Sequence, residues 1–237
     1  MIALPAVDLR EGACVQLVGG AYDRERVRIS DVLGQARRFR EAGFSSLHVV
    51  DLDAATGRGD NTALVDQLVR QSGLEVQAGG GVRTMERAEA LIDLGAARVV
   101  VGTRAVEDAA FRSELAARWP GRVVVAVDVR QREVLVRGWA EGAGRQVAEL
   151  ASELAALPLA GLLVTAVHVE GGLGGPDVDL YRELRECTTA ALYASGGVGS
   201  MDDLARLEDV GCAGAVIGMA LYTGALELER VAARYGQ

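Results

Sequence analysis

The chain has 237 residues, of which half are hydrophobic and only 4% are aromatic, and its net charge is −8. This length suits one large α/β domain in which small aliphatic side chains fill most of the core. The negative charge argues against a nucleic-acid or anionic-membrane surface, but it does not exclude an anionic substrate, because backbone amide groups bind phosphate without a net positive charge.

Short β-rich runs alternate with amphipathic segments along the whole chain, which is typical of repeated βα units around a parallel sheet. We predict strands at residues 2–7, 46–51, 74–78, 98–102, 122–127, 161–165, 190–194 and 214–217. We predict helices near residues 31–42, 61–72, 84–94, 107–118, 145–156, 177–187, 200–210 and 225–234. Eight of each is the number in a (β/α)8 TIM barrel, and two further short strands are expected at 13–17 and 133–137.

Segments of the first half of the chain return in the second half in the same order. The matching pairs, at offsets of 115 or 116, are 77–82 with 193–198, 100–105 with 216–221, and 47–50 with 162–165. We therefore predict one domain, residues 1–237, built from two half-barrels of about 1–119 and 120–237, rather than two separate domains. A half-barrel has open strand edges, so the halves are not expected to be stable apart.

Two of the predicted strands are followed at their C-terminal ends by an aspartate. Asp8 follows an apolar run in Leu4-Pro5-Ala6-Val7-Asp8, and Asp128 follows another in Ala126-Val127-Asp128. The C-terminal end of the strands is where an α/β barrel carries its chemistry. The alternative is that both residues are loop caps or surface charges.

Glycines follow four of the predicted strands, and they too occur in matching positions of the two halves. They lie in the pairs Gly80-Gly81, Gly102-Thr103, Gly196-Gly197 and Gly218-Met219. Glycine at a strand end lets backbone N–H groups approach an anion that a Cβ atom would obstruct. Two phosphate sites on opposite sides of one barrel mouth predict a long substrate with a phosphate at each end. The alternative is that these glycines only make tight turns.

The three cysteines form no close pair and have no metal-like spacing, which favours a reduced, cytoplasmic compartment. No signal peptide or apolar run of membrane-spanning length is visible. The only histidines are His48 and His168, so neither a histidine-based metal site nor a Ser-His-Asp triad is expected. An acid–base enzyme of this composition must work mainly with carboxylates.

With these residues assembled, the chain resembles the histidine-biosynthesis isomerase family, the HisA-type phosphoribosyl-formimino-aminoimidazole-carboxamide ribotide isomerases. Besides the two aspartate strands, the resemblance rests on the segments 47–53, 79–83, 138–139, 194–198 and 216–221. It implies an Amadori rearrangement of the bis-phosphorylated aminoaldose ProFAR to the aminoketose PRFAR. It also implies that no metal or organic cofactor is needed, and that the partner is this small molecule, with no nucleic acid and no membrane. We expect a monomer.

The resemblance places the general base at Asp8 and the general acid in the loop after the sixth strand. The family pattern there is Thr-Asp-Ile-x-x-Asp-Gly-Thr, and Glu170 stands where the family usually has the second aspartate. Ala166 and Gly172 also depart from the pattern. Glutamate keeps the carboxyl group but moves it by roughly 1.5 Å, which costs rate unless the loop adjusts. The alternative is that Glu170 is a solvated loop charge.

Five other residues are assigned by their positions in the family motifs. Asp128 and Thr165 are expected to orient the substrate and the catalytic groups. Trp139 can stack on the aminoimidazole ring, or can simply be a packed aromatic residue. Arg83 and His168 are assigned to substrate, although a loop histidine is more often incidental. His48, by contrast, is expected to be a strand residue and not catalytic.

Three other functions stay open. The sister cyclase of the same pathway has a cysteine and a lysine where this chain has Ala6 and Val15-Gln16-Leu17, and both departures favour the isomerase. A dual-substrate isomerase that also acts on phosphoribosylanthranilate is suggested by Arg137 before Gly138-Trp139. A non-catalytic phosphosugar-binding barrel is permitted by Glu170 and Ala166.

Overall fold

Valine- and leucine-rich runs form the strands of a computed structural model that describes all 237 residues. The strands are β1 (Ile2–Arg10), β2 (Ala13–Leu17), β3 (Glu25–Ile29), β4 (Ser46–Asp51), β5 (Glu75–Gly79), β6 (Arg98–Val101), β7 (Val123–Arg130), β8 (Glu133–Val136), β9 (Glu141–Gln146), β10 (Gly161–Ala166), β11 (Leu192–Ser195) and β12 (Gly214–Ile217). Eight of them, β1, β4, β5, β6, β7, β10, β11 and β12, pair in parallel and close into a barrel where β7 meets β10.

The helices lie between the barrel strands. They are α1 (Val32–Ala42), α2 (Leu52–Thr56), α3 (Thr62–Gln71), α4 (Met85–Leu94), α5 (Thr103–Glu107), α6 (Ala109–Arg118), α7 (Val147–Leu154), α8 (Val178–Cys187), α9 (Met201–Asp209), α10 (Met219–Thr223) and α11 (Leu228–Tyr235). Polar N-caps start several of them; in α9, Ser200 and Asp203 form a reciprocal capping box that satisfies two of the free backbone N–H groups. No helix has the length and apolar character that a bilayer span requires.

Apolar side chains fill both sides of the barrel wall. A core of 55 buried residues lies between the strands and the helices. A smaller cluster of seven fills the barrel interior and consists of Leu4, Ala6, Val100, Val124, Leu163, Tyr193 and Val216. Because apolar side chains fill most of the interior, the groups available for chemistry lie toward the C-terminal ends of the strands.

The predicted (β/α)8 barrel is confirmed, with strand and helix ends within a few residues of the predicted ones. The extra strands predicted at 13–17 and 133–137 are β2 and β8. Strands β3 and β9 were not predicted; each completes an antiparallel extension, β1–β2–β3 in the first half and β7–β8–β9 in the second. The short helices α2, α5 and α10 were also missed. The division into two half-barrels stays a prediction.

Candidate active site

A cavity of about 910 Å³ opens at the C-terminal ends of the barrel strands. Its walls come from loops of both halves of the chain. All the residues predicted to bind phosphate line it, namely Gly80, Gly81, Gly102, Thr103, Gly196, Gly197, Gly218 and Met219. This volume is within the range of pockets that enclose a small-molecule ligand.

Three carboxyl groups converge on this cavity from three different elements. Asp8 lies near the end of β1, Asp128 near the end of β7, and Glu170 follows a single 3-10 turn (Val167–Val169) after β10. Removal from bulk water raises the pKa of Asp8 to about 7. Burial, together with the negative charges of Asp8 and Asp128, raises the pKa of Glu170 to about 7. Near neutral pH, this set of carboxyl groups can therefore contain both a proton donor and a proton acceptor within one cavity.

Asp128 is held by two neighbours. Thr165 is its register partner on β10, and burial raises the pKa of Asp128 while hydrogen bonding from the Trp139 and Thr165 side chains partly offsets that rise. Trp139 has a left-handed backbone, with φ of 71°. Its ring lies against Gly20, where an added Cβ atom would come within 2.2 Å of the ring. The loop after β8 thus meets the loop after β2 over the cavity.

The loop after β10 also crosses toward the first loop. Gly171 has φ of 69°, and a Cβ atom there would lie 3.0 Å from the carbonyl oxygen of Leu17. Glu170 leaves the 3-10 turn with its carboxyl oxygen Oε2 beside Gly196, 3.1 Å from where a Cβ atom would stand. The close backbone approach on both sides directs the glutamate side chain into the cavity.

The glycines at the cavity differ in backbone conformation and in the space available for a Cβ atom. Gly80, Gly81, Gly196 and Gly197 all have positive φ, and a Cβ atom on each would lie within 3.0 Å of a backbone oxygen of a neighbouring segment. The fold alone therefore requires these four. Gly102 has a negative φ and open space around it, with no atom nearer than 3.9 Å to an added Cβ atom. Its backbone, with φ of −97° and ψ of −119°, lies outside the regions that L residues commonly adopt, so conformation and not packing favours glycine at this position.

The two remaining predicted residues have different positions. Arg83 lines the mouth, and its guanidinium donates hydrogen bonds to the carbonyl oxygens of Ala54 and Ala55 at 3.3 and 2.7 Å. His168 is exposed and does not line the cavity; its Nε2 atom lies 3.2 Å from an Asp177 carboxyl oxygen. The expected contact of His168 with the substrate is therefore not supported by its position, because the 3-10 turn directs it toward the N-terminus of α8.

Among the cavity residues to which no role was assigned from the sequence are Gln16, Gly20 and His48. Gln16 and His48 are 4% and 5% exposed, respectively. Both could have been identified from the sequence, because each is a polar residue within an otherwise apolar strand. A buried polar group needs a hydrogen-bond partner, which marks such a position for attention. Gly20 carries no such signal, because its role depends on a tryptophan more than a hundred residues away in the chain.

Comparison with known proteins gives a consistent picture. A family model described as "Histidine biosynthesis protein" matches residues 2–227. A protein of Gemmatimonas aurantiaca is 56% identical over 236 residues, covering all of both chains, and one of Myxococcus xanthus is 53% identical over 99% of each. One of Deinococcus radiodurans is 43% identical over 94% of each. All three are named 1-(5-phosphoribosyl)-5-((5-phosphoribosylamino)methylideneamino) imidazole-4-carboxamide isomerase.

Proposed function

The chain belongs to the histidine biosynthesis protein family, and we propose that it is the isomerase for which these relatives are named, converting the bis-phosphorylated aminoaldose ProFAR into the aminoketose PRFAR. The observation that carries the chemical part of the proposal is the convergence of Asp8, Asp128 and Glu170 in one cavity lined by glycines of both halves.

The reaction needs one acid and one base. Protonation of the ribose ring oxygen lets the bond from that oxygen to C1 break, and the attached nitrogen then forms a Schiff base. Removal of the C2 proton moves the electron pair to give an enaminol, which tautomerises to the ketose. Two carboxyl groups suffice if their surroundings keep one protonated and the other ionised.

We assign the acid to Glu170 and the base to Asp8. Both pKa values lie near 7, so either group can hold a proton at neutral pH. Repulsion among the three carboxyl groups favours states in which at least one is protonated, and the family motif assigns that proton to Glu170. Asp128 then orients the substrate and the catalytic groups, and it is itself held by hydrogen bonds from Thr165 and Trp139.

The two glycine sets supply the sites for the two phosphates. One set follows strands β5 and β6 of the first half and consists of Gly80, Gly81, Gly102 and Thr103; the other follows β11 and β12 of the second half and consists of Gly196, Gly197, Gly218 and Met219. The space beside Gly102 is open, so an anion can approach the backbone there. Arg83, at the rim of the first set, adds positive charge there.

We further propose that the protein acts on this small molecule as a monomer in the cytoplasm, with no nucleic-acid partner. One chain supplies every wall of the cavity, and no large hydrophobic side chain is exposed that would call for a second copy. Three unpaired cysteines suit a reducing compartment. The net charge of −8 opposes binding to nucleic acid.

The dual-substrate alternative has less support. This alternative was suggested by Arg137, which would bind the carboxylate of an anthranilate substrate. Here the Arg137 guanidinium pairs with Glu141 at 2.9 Å and with Glu107 at 3.4 Å, so its charge is already engaged at the rim.

The test is turnover of ProFAR by the purified protein, with Asp8→Asn and Glu170→Gln as paired variants. Each replacement keeps the shape of the side chain but removes proton transfer, so we expect kcat to fall about 10²- to 10⁴-fold for both, which is the usual contribution of one acid–base group. Turnover that survives Glu170→Gln would place the acid elsewhere. Binding without any turnover in the parent would leave only a phosphosugar-binding barrel.

A further inference from the structure

His48 is a polar residue in the packed interior of the barrel. It lies on β4, where its register partners are Ala6 on β1 and Gln77 on β5. Ala6 is two residues before Asp8, so the imidazole forms part of the cavity wall just below the carboxyl group proposed as the base. The side chain is 5% exposed, and the surface it retains faces the cavity.

The neighbouring glutamine determines where the imidazole carries its proton. The Gln77 side-chain nitrogen Nε2 lies 2.8 Å from Nδ1 of His48, and Gln77 is fully buried. In this arrangement the Gln77 amide presents its NH₂ group to Nδ1 and leaves its own Oε1 atom without a partner, so Nδ1 is the unprotonated, accepting nitrogen of the ring. The proton of the neutral imidazole is then on Nε2, the nitrogen that Gln77 does not occupy. In agreement, burial lowers the pKa of His48 to about 4, which keeps the ring neutral.

We propose that His48 is a substrate-binding residue whose neutral imidazole donates its Nε2–H group to an oxygen of the sugar phosphate, and that Gln77 is the positioning residue that fixes this tautomer. The inference rests on the proposed function for the identity of the ligand. It replaces the expectation that His48 is only a strand residue.

Neutrality is what makes this donor compatible with the chemistry above it. A positively charged imidazole below the three carboxyl groups would lower the pKa of Glu170. Glu170 would then be ionised at neutral pH and could not act as the acid. An uncharged N–H group offers a hydrogen bond to the substrate without that penalty. The only hydrogen bond of the His48 ring within the protein is the one at Nδ1, and the side chain lines the cavity, so Nε2 is free to donate to the substrate.

The tautomer is tested by nuclear magnetic resonance on protein labelled with ¹⁵N-histidine. The chain has only two histidines, and the His168→Gln variant leaves His48 as the sole signal. We expect a neutral ring with protonated Nε2 and bare Nδ1, unchanged between about pH 6 and pH 8. In Gln77→Leu, which keeps the side-chain volume but removes the donor, the signals should move toward a mixture of tautomers. A protonated Nδ1 in the parent would overturn the inference.

Contact with the ligand is tested on the same labelled protein and by kinetics. Added PRFAR should shift the Nε2–H resonance of His48. His48→Leu should raise KM about tenfold with a smaller effect on kcat, as expected for one lost hydrogen bond. His48→Gln, whose amide N–H reaches the place of Nε2, should recover most of the loss, and unchanged unfolding temperatures would show that the variants fold.

The outcomes separate this inference from the proposed function. Turnover of ProFAR with an unmoved His48 resonance, or a His48→Leu variant with the KM of the parent, would overturn the inference and leave the isomerase intact. A protein that neither binds PRFAR nor converts ProFAR would overturn both.

Discussion

Asp8 and Glu170 must be in opposite protonation states for turnover, and this determines how activity depends on pH. Below neutral pH, Asp8 takes up a proton and is lost as a base; above it, Glu170 loses its proton and is lost as an acid. Because both pKa values are about 7, the productive state is most populated near pH 7. We expect kcat/KM to follow a narrow bell centred there, falling about tenfold per pH unit on each outer limb. A flat profile between about pH 6 and pH 9 would contradict the assignment.

The same burial of Asp8 carries a cost in stability. Its pKa is raised from 3.8 to about 7, so the folded state favours the protonated form. The stability this group provides is complete below pH 4 and is lost as the pH rises through 7. Asp8→Asn removes the charge, and we expect it to raise the free energy of unfolding by about 1–3 kcal/mol at pH 8. A three-unit shift corresponds to about 4 kcal/mol, reduced because cavity water reaches the carboxyl group.

Urea unfolding of the parent and Asp8→Asn at pH 8 and at pH 4 measures this effect. The difference should be present at the higher pH and nearly vanish at the lower one. Equal stability of the two proteins at both values would mean that the carboxyl group is solvated and that its pKa is not raised.

At the residue scale, the sequence predicted which carboxyl groups matter but not where the proton lies. Asp8, Asp128 and Glu170 each stand at a recognisable strand end or motif position. The proton on Glu170 depends on the charges of two aspartates from other strands, and these come together only in the closed barrel. His48 was expected to be only a strand residue for a similar reason. Its tautomer depends on Gln77, which is 29 residues away in the chain and is brought next to it only by the fold.

At the element scale, the contact between two loops over the cavity offers a test. A Cβ atom on Gly20 would lie 2.2 Å from the Trp139 ring, so Gly20→Ala should displace the indole and remove its hydrogen bond to Asp128. We expect kcat to fall about tenfold, the scale of one lost hydrogen bond to a charged group. The tryptophan fluorescence should shift to longer wavelength as the ring becomes more exposed.

Gly19→Ala is the matched control for that change. Gly19 has φ of 60° and Gly20 has φ of 66°, so both substitutions strain the backbone alike, but nothing lies within 4 Å of a Cβ atom on Gly19. We expect Gly19→Ala to keep the fluorescence and most of the activity of the parent. Equal losses in the two variants would show that backbone strain, and not the tryptophan, is responsible.

The elements that the sequence predicted are those with their own hydrophobic pattern. The eight barrel strands are apolar runs and the long helices are amphipathic, so local periodicity is enough to find them. Strand β9 reads Glu-Gly-Ala-Gly-Arg-Gln and has no apolar stripe, so it is a strand only because β8 supplies its partner. The five-residue helices α2, α5 and α10 are too short to show a helical period.

At the scale of the whole molecule, closure of the barrel unites the two predicted half-barrels. The first half, 1–119, contributes β1, β4, β5 and β6, and the second, 120–237, contributes the other four barrel strands. Two parallel pairings join them, β6 with β7 and β12 with β1. The active-site carboxyl groups are divided in the same way, since Asp8 belongs to the first half and Asp128 and Glu170 to the second.

This division predicts how the separated halves behave. Each half alone has two open strand edges and exposes part of the interior cluster, with Leu4, Ala6 and Val100 on the first fragment and the other four residues on the second. Exposed edges and apolar faces promote association, so we expect each fragment alone to self-associate and to be inactive. When the two fragments are refolded together, their edges pair and the carboxyl groups meet, so a 1:1 complex should form and turn over ProFAR. Size-exclusion chromatography and the turnover assay measure both effects. An isolated fragment that is monomeric and unfolds cooperatively would show that each half is a domain in its own right.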